Sequence, residues 1–267
     1  MNADSFFTIG NGHIICQDYA LHGIYDNIPY IIVADGCSAS SMVDIGARVL
    51  VLAAQEALIN IFTGNDFEDV QIDSLVIDKI KDVIKLFPHL MDSFSDATLL
   101  IGWVHTGKFY GYMFGDGNII YKTKDAMTVY NTSFSQSAPD YLSYHLNPNR
   151  KTEYINFKEN VKSSVYYTRL SNPTRIVLDT FPSEIFCPTK IIIPVTIGDL
   201  VGLTTDGLSS FCKNNKSVLW YDMAEELMNF KLCQGEFVTR RINAVKRNGV
   251  KDGLGHFDDL SMGVIQI

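Results

Sequence analysis

The chain has 267 residues, 46% of them hydrophobic and 19% charged. That is enough apolar material to close a core and too much for a disordered chain. A net charge of −8 and an isoelectric point near 5.2 argue against a general nucleic-acid binder, which presents a basic face. The five cysteines include no C-x-x-C pair, so they lack zinc-site spacing and read as reduced thiols. The first ten residues lack the basic and long apolar segments of a signal peptide. No apolar run reaches ~18 residues, so no membrane span is expected. The expectation is a cytoplasmic protein.

Residues 6–35 read as two or three strands, with turns at Gly10-Asn11-Gly12 and at 25–29. Over 41–62, Val43, Ala47, Leu50, Ala54 and Leu58 recur at helix spacing, and Gly64 follows as a stop. A second helix is predicted over 73–87, ending at Pro88. Strands at 97–105, 108–114 and 118–122 are separated by Thr106-Gly107 and Gly115-Asp116-Gly117, which predicts a β-meander. Residues 123–190 are less regular and rich in Ser, Asn, Pro and Tyr, as in a flap over a site. Strands return at 190–195 and 200–205, helices at 218–230 and 235–246, and a strand closes the chain over 260–267.

This order is not βαβ alternation. It predicts an α+β (α/β) sandwich: two stacked, mainly antiparallel sheets flanked by pairs of helices. No internal repeat or linker divides the chain, so 1–267 reads as a single domain with its flap inside about 123–190.

Four acidic segments stand out: Gln17-Asp18, Val33-Ala34-Asp35-Gly36, Thr204-Thr205-Asp206-Gly207 and Phe257-Asp258-Asp259-Leu260-Ser261. Three of them abut predicted strands. A strand end points a carboxylate out of a rigid scaffold. Several carboxylates cannot converge there without a counter-charge, and a hard divalent cation supplies one. The chain therefore reads as a hydrolase with a Mg²⁺ or Mn²⁺ centre. It has no G-x-S-x-G, no nucleophilic-cysteine loop and no Walker A loop.

Together with Cys16-Gln17-Asp18-Tyr19-Ala20, Asp96-Ala97-Thr98-Leu99-Leu100 and Phe114-Gly115-Asp116-Gly117-Asn118, these segments resemble the metal-dependent protein phosphatase family, the 2C type, in a bacterial or phage-like form. The motifs occur in family order over residues 13–267. The resemblance implies that Asp35 bridges two metals and that the Gly36 carbonyl ligates one of them. It implies that Asp206 and Asp258 hold the other side and that Asp18 acts mostly through bound water. Asp116, with Asp206, matches the position of a third ion in some members. The implied activity is hydrolysis of phosphoserine or phosphothreonine on proteins by a metal-bridging hydroxide, with two or three Mn²⁺ or Mg²⁺ ions. The implied partner is a phosphorylated protein, opposing a serine/threonine kinase, with no nucleic acid and no membrane involved.

Each position has a plainer reading. Asp-Gly is a favoured turn dipeptide and occurs at 35, 116, 206 and 252; Asp252-Gly253 is read as only a turn. Asp259 replaces Asp258 as the ligand if the register shifts by one. Gly115-Asp116-Gly117-Asn118 makes a good hairpin without metal. His13 stands where many members carry a phosphate-binding Arg, but it lacks the bidentate fork. Gln17 replaces a Glu. Cys37 stands where other members have a His proposed as general acid, and reads as a small turn residue. Tyr141, Tyr144, Tyr154, Tyr166 and Tyr167 form either a substrate wall or flap core. Two alternatives remain on this evidence: a weak or inactive binding module that keeps the fold, and a hydrolase of small phosphate esters.

Overall fold

The computed structural model describes the chain except for residues 65, 66, 68–70, 88, 90, 91, 135–137, 159–162, 172, 173 and 183–185. For residues 92, 163–171 and 174–182 it describes the backbone alone. Tyr166 and Tyr167 therefore lie outside the described side chains.

Two antiparallel sheets stack face to face. One has five strands: β2 (Asp18–Tyr25), β3 (Ile28–Gly36), β4 (Ala97–His105), β5 (Lys108–Phe114) and β10 (Thr189–Pro194), in the order β10-β5-β4-β3-β2. The other has seven. They are β1 (Asn2–Thr8), β6 (Gly117–Lys122), β7 (Ala126–Phe134), β8 (Ser163–Ser171), β9 (Thr174–Pro182), β11 (Leu200–Thr204) and β15 (Leu260–Gln266), in the order β1-β15-β11-β6-β7-β8-β9.

The strand pattern explains the stacking. In β3, Ile31 and Val33 face the other sheet, together with Leu100 of β4, and meet Val201, Leu203 and Ile265 there. Ile32 and Ala34, one residue out of step, face the helices with Leu99, Ile101 and Trp103. Period-two alternation with both faces apolar is what a sheet between two layers requires.

Helices α1 (Val43–Gly64) and α2 (Ile72–Leu86) cover the outer face of the five-stranded sheet. Helices α4 (Trp220–Leu227) and α5 (Phe237–Val250) pack on the seven-stranded sheet through Met223, Leu227, Val238 and Ile242. By length and composition α1 is long and apolar enough to cross a membrane, although Asp44, Arg48 and Glu56 interrupt its apolar run. Its Ala47, Leu50, Ala54 and Leu58 are buried in the core against the sheet.

The meander expected over 97–122 is a correction. β4 and β5 pair, but β6 leaves for the other sheet, between β11 and β7. Gly115-Asp116-Gly117 is thus a crossover between sheets and not a hairpin turn. Periodicity finds a strand but does not say which sheet it joins. The stretch 123–190 is also more regular than expected: β7, β8 and β9 extend the larger sheet, and α3 (Pro148–Lys158) lies between β7 and β8. A third small sheet, β13-β12-β14, was not anticipated; its strands are Phe211–Lys213 (β12), Lys216–Ser217 (β13) and Leu254–His256 (β14). Runs of two or three residues are too short to show a period.

Candidate metal centre

The acidic segments come together at one edge of the sandwich. Asp18 opens β2 and Asp35 lies next to last in β3, and the antiparallel register sets them directly opposite. Such partners project to the same face of a sheet. Asp206 follows β11 at the head of a 3₁₀ turn, Asp206–Ser209. Asp35 contacts both Asp18 and Asp206, and burial together with those two charges holds its pKa well above the usual carboxylate range. Asp18 is pushed up to about 7, chiefly by burial. Asp206 is raised by burial and then by Asp258.

Asp18 also ties the two sheets together. Thr205 Oγ1 donates to its Oδ2 at 2.8 Å and accepts from the Ser261 amide at 3.0 Å. The other oxygen, Oδ1, is buried without a hydrogen-bond partner.

Asp258 and Asp259 have different surroundings. Asp259 is 1% exposed and accepts from the amides of Gly10 at 2.7 Å and Gln17 at 2.6 Å. It pins the 10–17 loop that delivers Asp18. The Asp258 side chain is 42% exposed and stands close enough to Asp206 to raise its pKa. His13 lies between them, with Nδ1 3.0 Å from Asp259 and Nε2 3.7 Å from Asp258. The contact with Asp259 raises the pKa of the ring despite partial burial. Both ring nitrogens thus face carboxylates, Nδ1 more closely than Nε2.

Asp116, on the crossover, is held near pKa 7 by burial and then by Asp206; Asp140 adds to the rise, and Lys158 opposes it. The Asp-Gly pairs do not share one cause. Gly36 and Gly207 are absent from the residues with positive φ, which include Gly253. A Cβ on Gly207 would sit 1.7 Å from the Asp259 carbonyl oxygen, and one on Gly36 would sit 2.9 Å from the Gln17 carbonyl oxygen. These two glycines let neighbouring backbone in; only Asp252-Gly253 is the ordinary turn.

Several residues of the site edge have contacts that the sequence does not reveal. Asp96 is 4% exposed. It accepts from Ser40 Oγ at 2.8 Å, from Ser143 Oγ, and from Arg150 Nη2 at 2.9 and 2.8 Å. Its carbonyl accepts from the Cys37 amide at 2.8 Å. This knot binds α3 to the loop that follows Asp35. Tyr141 is hydrogen-bonded to Cys37, and burial followed by that bond drives its pKa up. Tyr144 and Tyr154 stack at 4.6 Å. Asp96 opens a family-like motif, but no local signal marks its clamp on Arg150, which is 54 residues away in the chain.

The donor set at Asp18, Asp35 and Asp206 is all carboxylate, which suits a hard cation. Among the described residues no group of three or more His, Cys, Asp or Glu side chains is already arranged as a coordination shell. The carboxylates meet in pairs through Asp35 instead, and one oxygen of Asp18 is orphaned. Excess negative charge with an unsatisfied oxygen fits a centre that takes divalent cations.

One consequence is a pH dependence of stability. Asp18 and Asp116 titrate near 7 when folded, against about 3.9 when unfolded. The folded state then binds more protons. Their contribution is fully present below pH ~4 and is lost as pH rises through ~7. Thermal denaturation of chelated protein should show a falling Tm between pH 5 and 8, and saturating Mn²⁺ should reverse most of that fall at pH 8. A Tm that does not change over this range would show that the carboxylates do not repel.

A double-sheet sandwich with paired helices outside and aspartates gathered at one edge defines a phosphatase-type α+β fold. A family model described as protein phosphatase 2C matches residues 9–245, and the chain belongs to that family. No curated protein matches the chain. Solved structures share its fold at low identity. One is the Ser-Thr phosphatase MsPP of Mycobacterium smegmatis in complex with cacodylate, with a TM-score of 0.55 and 14% identity over 100% of this chain and 98% of that one. A second is the catalytic domain of the serine/threonine phosphatase PstP with two manganese ions, with a TM-score of 0.51 and 15% identity over 99% and 98% of the two chains. A third is the S. agalactiae serine/threonine phosphatase, with a TM-score of 0.53 and 14% identity over 99% and 98%. At such identities the likeness is one of fold.

Proposed function

We propose that this protein is a metal-dependent serine/threonine phosphatase acting on phosphorylated proteins. The observation that carries the reading is the convergence of Asp18 and Asp206 on Asp35, with their carboxyl groups protonating above the usual range. Such repulsion is poorly tolerated in a buried site unless a cation relieves it. The PstP catalytic domain, which shares this fold, was solved with manganese.

In this reading Asp35, at the centre of the cluster, would help hold divalent ions together with the Gly36 carbonyl, Asp206 and Asp258. Asp18 keeps its place through Thr205, and its free oxygen orients water. Divalent ions bound there would acidify water and neutralise the charge on a transferring phosphoryl group. Asp259 and His13 are positioning residues: they fix the 10–17 loop and the backbone that presents Asp258. The segment before α3 and the end of α3 border the cluster, through Tyr141 at Cys37 and Lys158 near Asp116, and α3 with the segment before it would form the wall a phosphopeptide meets.

The test is turnover of an aryl phosphate and of a phosphothreonine peptide after exhaustive chelation, then with Mn²⁺, Mg²⁺ or Ca²⁺. Activity should vanish on chelation and return with Mn²⁺ or Mg²⁺. Ca²⁺ is larger, takes more ligands and acidifies water less, so it should bind without restoring turnover. Activity that survives chelation would rule out the metal mechanism. Metal uptake without turnover of either substrate would favour a binding module, for which the departures at His13, Gln17 and Cys37 already leave room. Preference for the aryl phosphate over every peptide would favour a hydrolase of small esters.

A further inference from the structure

Lys158 ends α3 and is 3% exposed. Its Nζ has no hydrogen-bond partner. It lies 4.9 Å from the centre of the Phe134 ring and 5.3 Å from that of Tyr154. A buried ammonium with three donors and no acceptor is costly unless opposite charge is near, and two aromatic faces repay only part of that cost. The carboxylates whose charge reaches it are Asp140 and Asp116. Asp140 is itself buried and accepts from the Phe186 amide at 2.6 Å, and among the described residues no cation forms an ion pair with it. Asp116 also feels the charge of Asp206.

The position of Lys158 is fixed from a distance. Arg150, two turns earlier on α3, is clamped by Asp96, and Tyr154 donates to the Ala138 carbonyl at 2.9 Å. The helix therefore delivers its last side chain to the edge of the aspartate cluster. The charge of Lys158 thus acts on Asp116, one of the two residues that could share a further divalent ion.

We propose that Lys158 is the resident cation of the Asp116–Asp140 edge and takes the place of a third divalent ion there. A dication entering beside a fixed ammonium in a buried site is repelled, so the centre holds its two inner ions and no third. The pairing of Lys158 with Asp116 stands on the surroundings of the lysine alone; the ion count rests on the metal-centre reading above.

Two measurements test this separately. The first is a double-mutant cycle in chelated protein at pH 8, read by Tm, with Asp116→Asn, Lys158→Met and the double variant. Pairing predicts that the double variant loses clearly less Tm than the two single variants summed, because each single change strands the other charge. Additive losses would overturn the proposal. If Lys158→Met fails to fold, Lys158→Gln in the same cycle gives the same comparison with a more soluble side chain.

The second is Mn²⁺ titration by calorimetry, with the ion count checked by native mass spectrometry. Wild type and Lys158→Arg should take two ions per chain. Lys158→Met should take a third, or bind it about tenfold or more tightly than wild type, and should lose it again in the double variant with Asp116→Asn. A wild-type third ion that disappears in Asp116→Asn, or an unchanged count in folded Lys158→Met and Lys158→Gln, would overturn the proposal. Coupling in the cycle with no metal uptake by any variant would uphold the lysine as resident cation and overturn the metal-centre reading instead.

Discussion

Asp35→Asn should lower turnover by roughly 10³-fold or more at saturating Mn²⁺, since the ions it would help to hold are worth several kcal/mol to a phosphoryl transition state. The same change should leave the chelated protein folded and, at pH 8, at least as stable as wild type. Asp35 is buried against two other carboxylates, which keep its proton on well above the normal range. Deprotonating it in the folded state costs free energy, and Asn removes that cost. As pH falls and the wild-type group keeps its proton more fully, the difference in Tm should shrink. A folded Asp35→Asn protein with wild-type turnover would place the active site elsewhere. Unchanged activity with lowered stability would mean that Asp35 is scaffold.

Gly207→Ala should be the most damaging small substitution near the site. Its added methyl would sit 1.7 Å from the Asp259 carbonyl oxygen and 2.8 Å from the Asp259 carbonyl carbon. Both contacts are with backbone, so no rotamer can relieve them. The 3₁₀ turn that carries Asp206 must move away from the segment that carries Asp258. Overpacking of this kind costs about 3 kcal/mol or more, which for a chain this size corresponds to a fall in Tm of roughly 6–12 °C. Metal uptake should weaken at the same time, because Asp206 and Asp258 separate. A calorimetric scan and a Mn²⁺ titration on the same sample check both effects. Gly253→Ala provides the contrast. Gly253 has a φ of +71° in an exposed turn, so that change should cost stability and leave metal uptake intact.

Much of the architecture was legible because the strands that build the core are strongly apolar. Ile28–Gly36 and Ala97–His105 are buried on both faces along most of their length, and α1 and α2 show helical spacing. What the local pattern could not supply was sheet membership. β5 and β6 are separated by two residues yet belong to different sheets, and this is what carries Asp116 to Asp206.

The candidate site was legible for a related reason: strand ends fix the direction of a carboxylate. Asp35, Asp206 and Asp18 do meet, and Asp258 and Asp259 differ in their hydrogen bonds, which sequence does not show. Two backbone amides more than 240 residues away are bound by Asp259. The same holds for Asp96 and Lys158. Their surroundings come from a helix that no local pattern docks against the loop after β3. His13 was read from its place in a motif, whereas its two carboxylate neighbours follow from the fold.

The central claim is that divalent ions are held at Asp35 between the two sheets. Crystals grown with Mn²⁺, with data collected on both sides of the manganese absorption edge, test it most directly. Two anomalous peaks are expected, both within ligand distance of Asp35, one of them also contacting Asp206 and Asp258. Occupied manganese elsewhere on the molecule with none at Asp35, or a fully soaked crystal without any peak at the cluster, would contradict it.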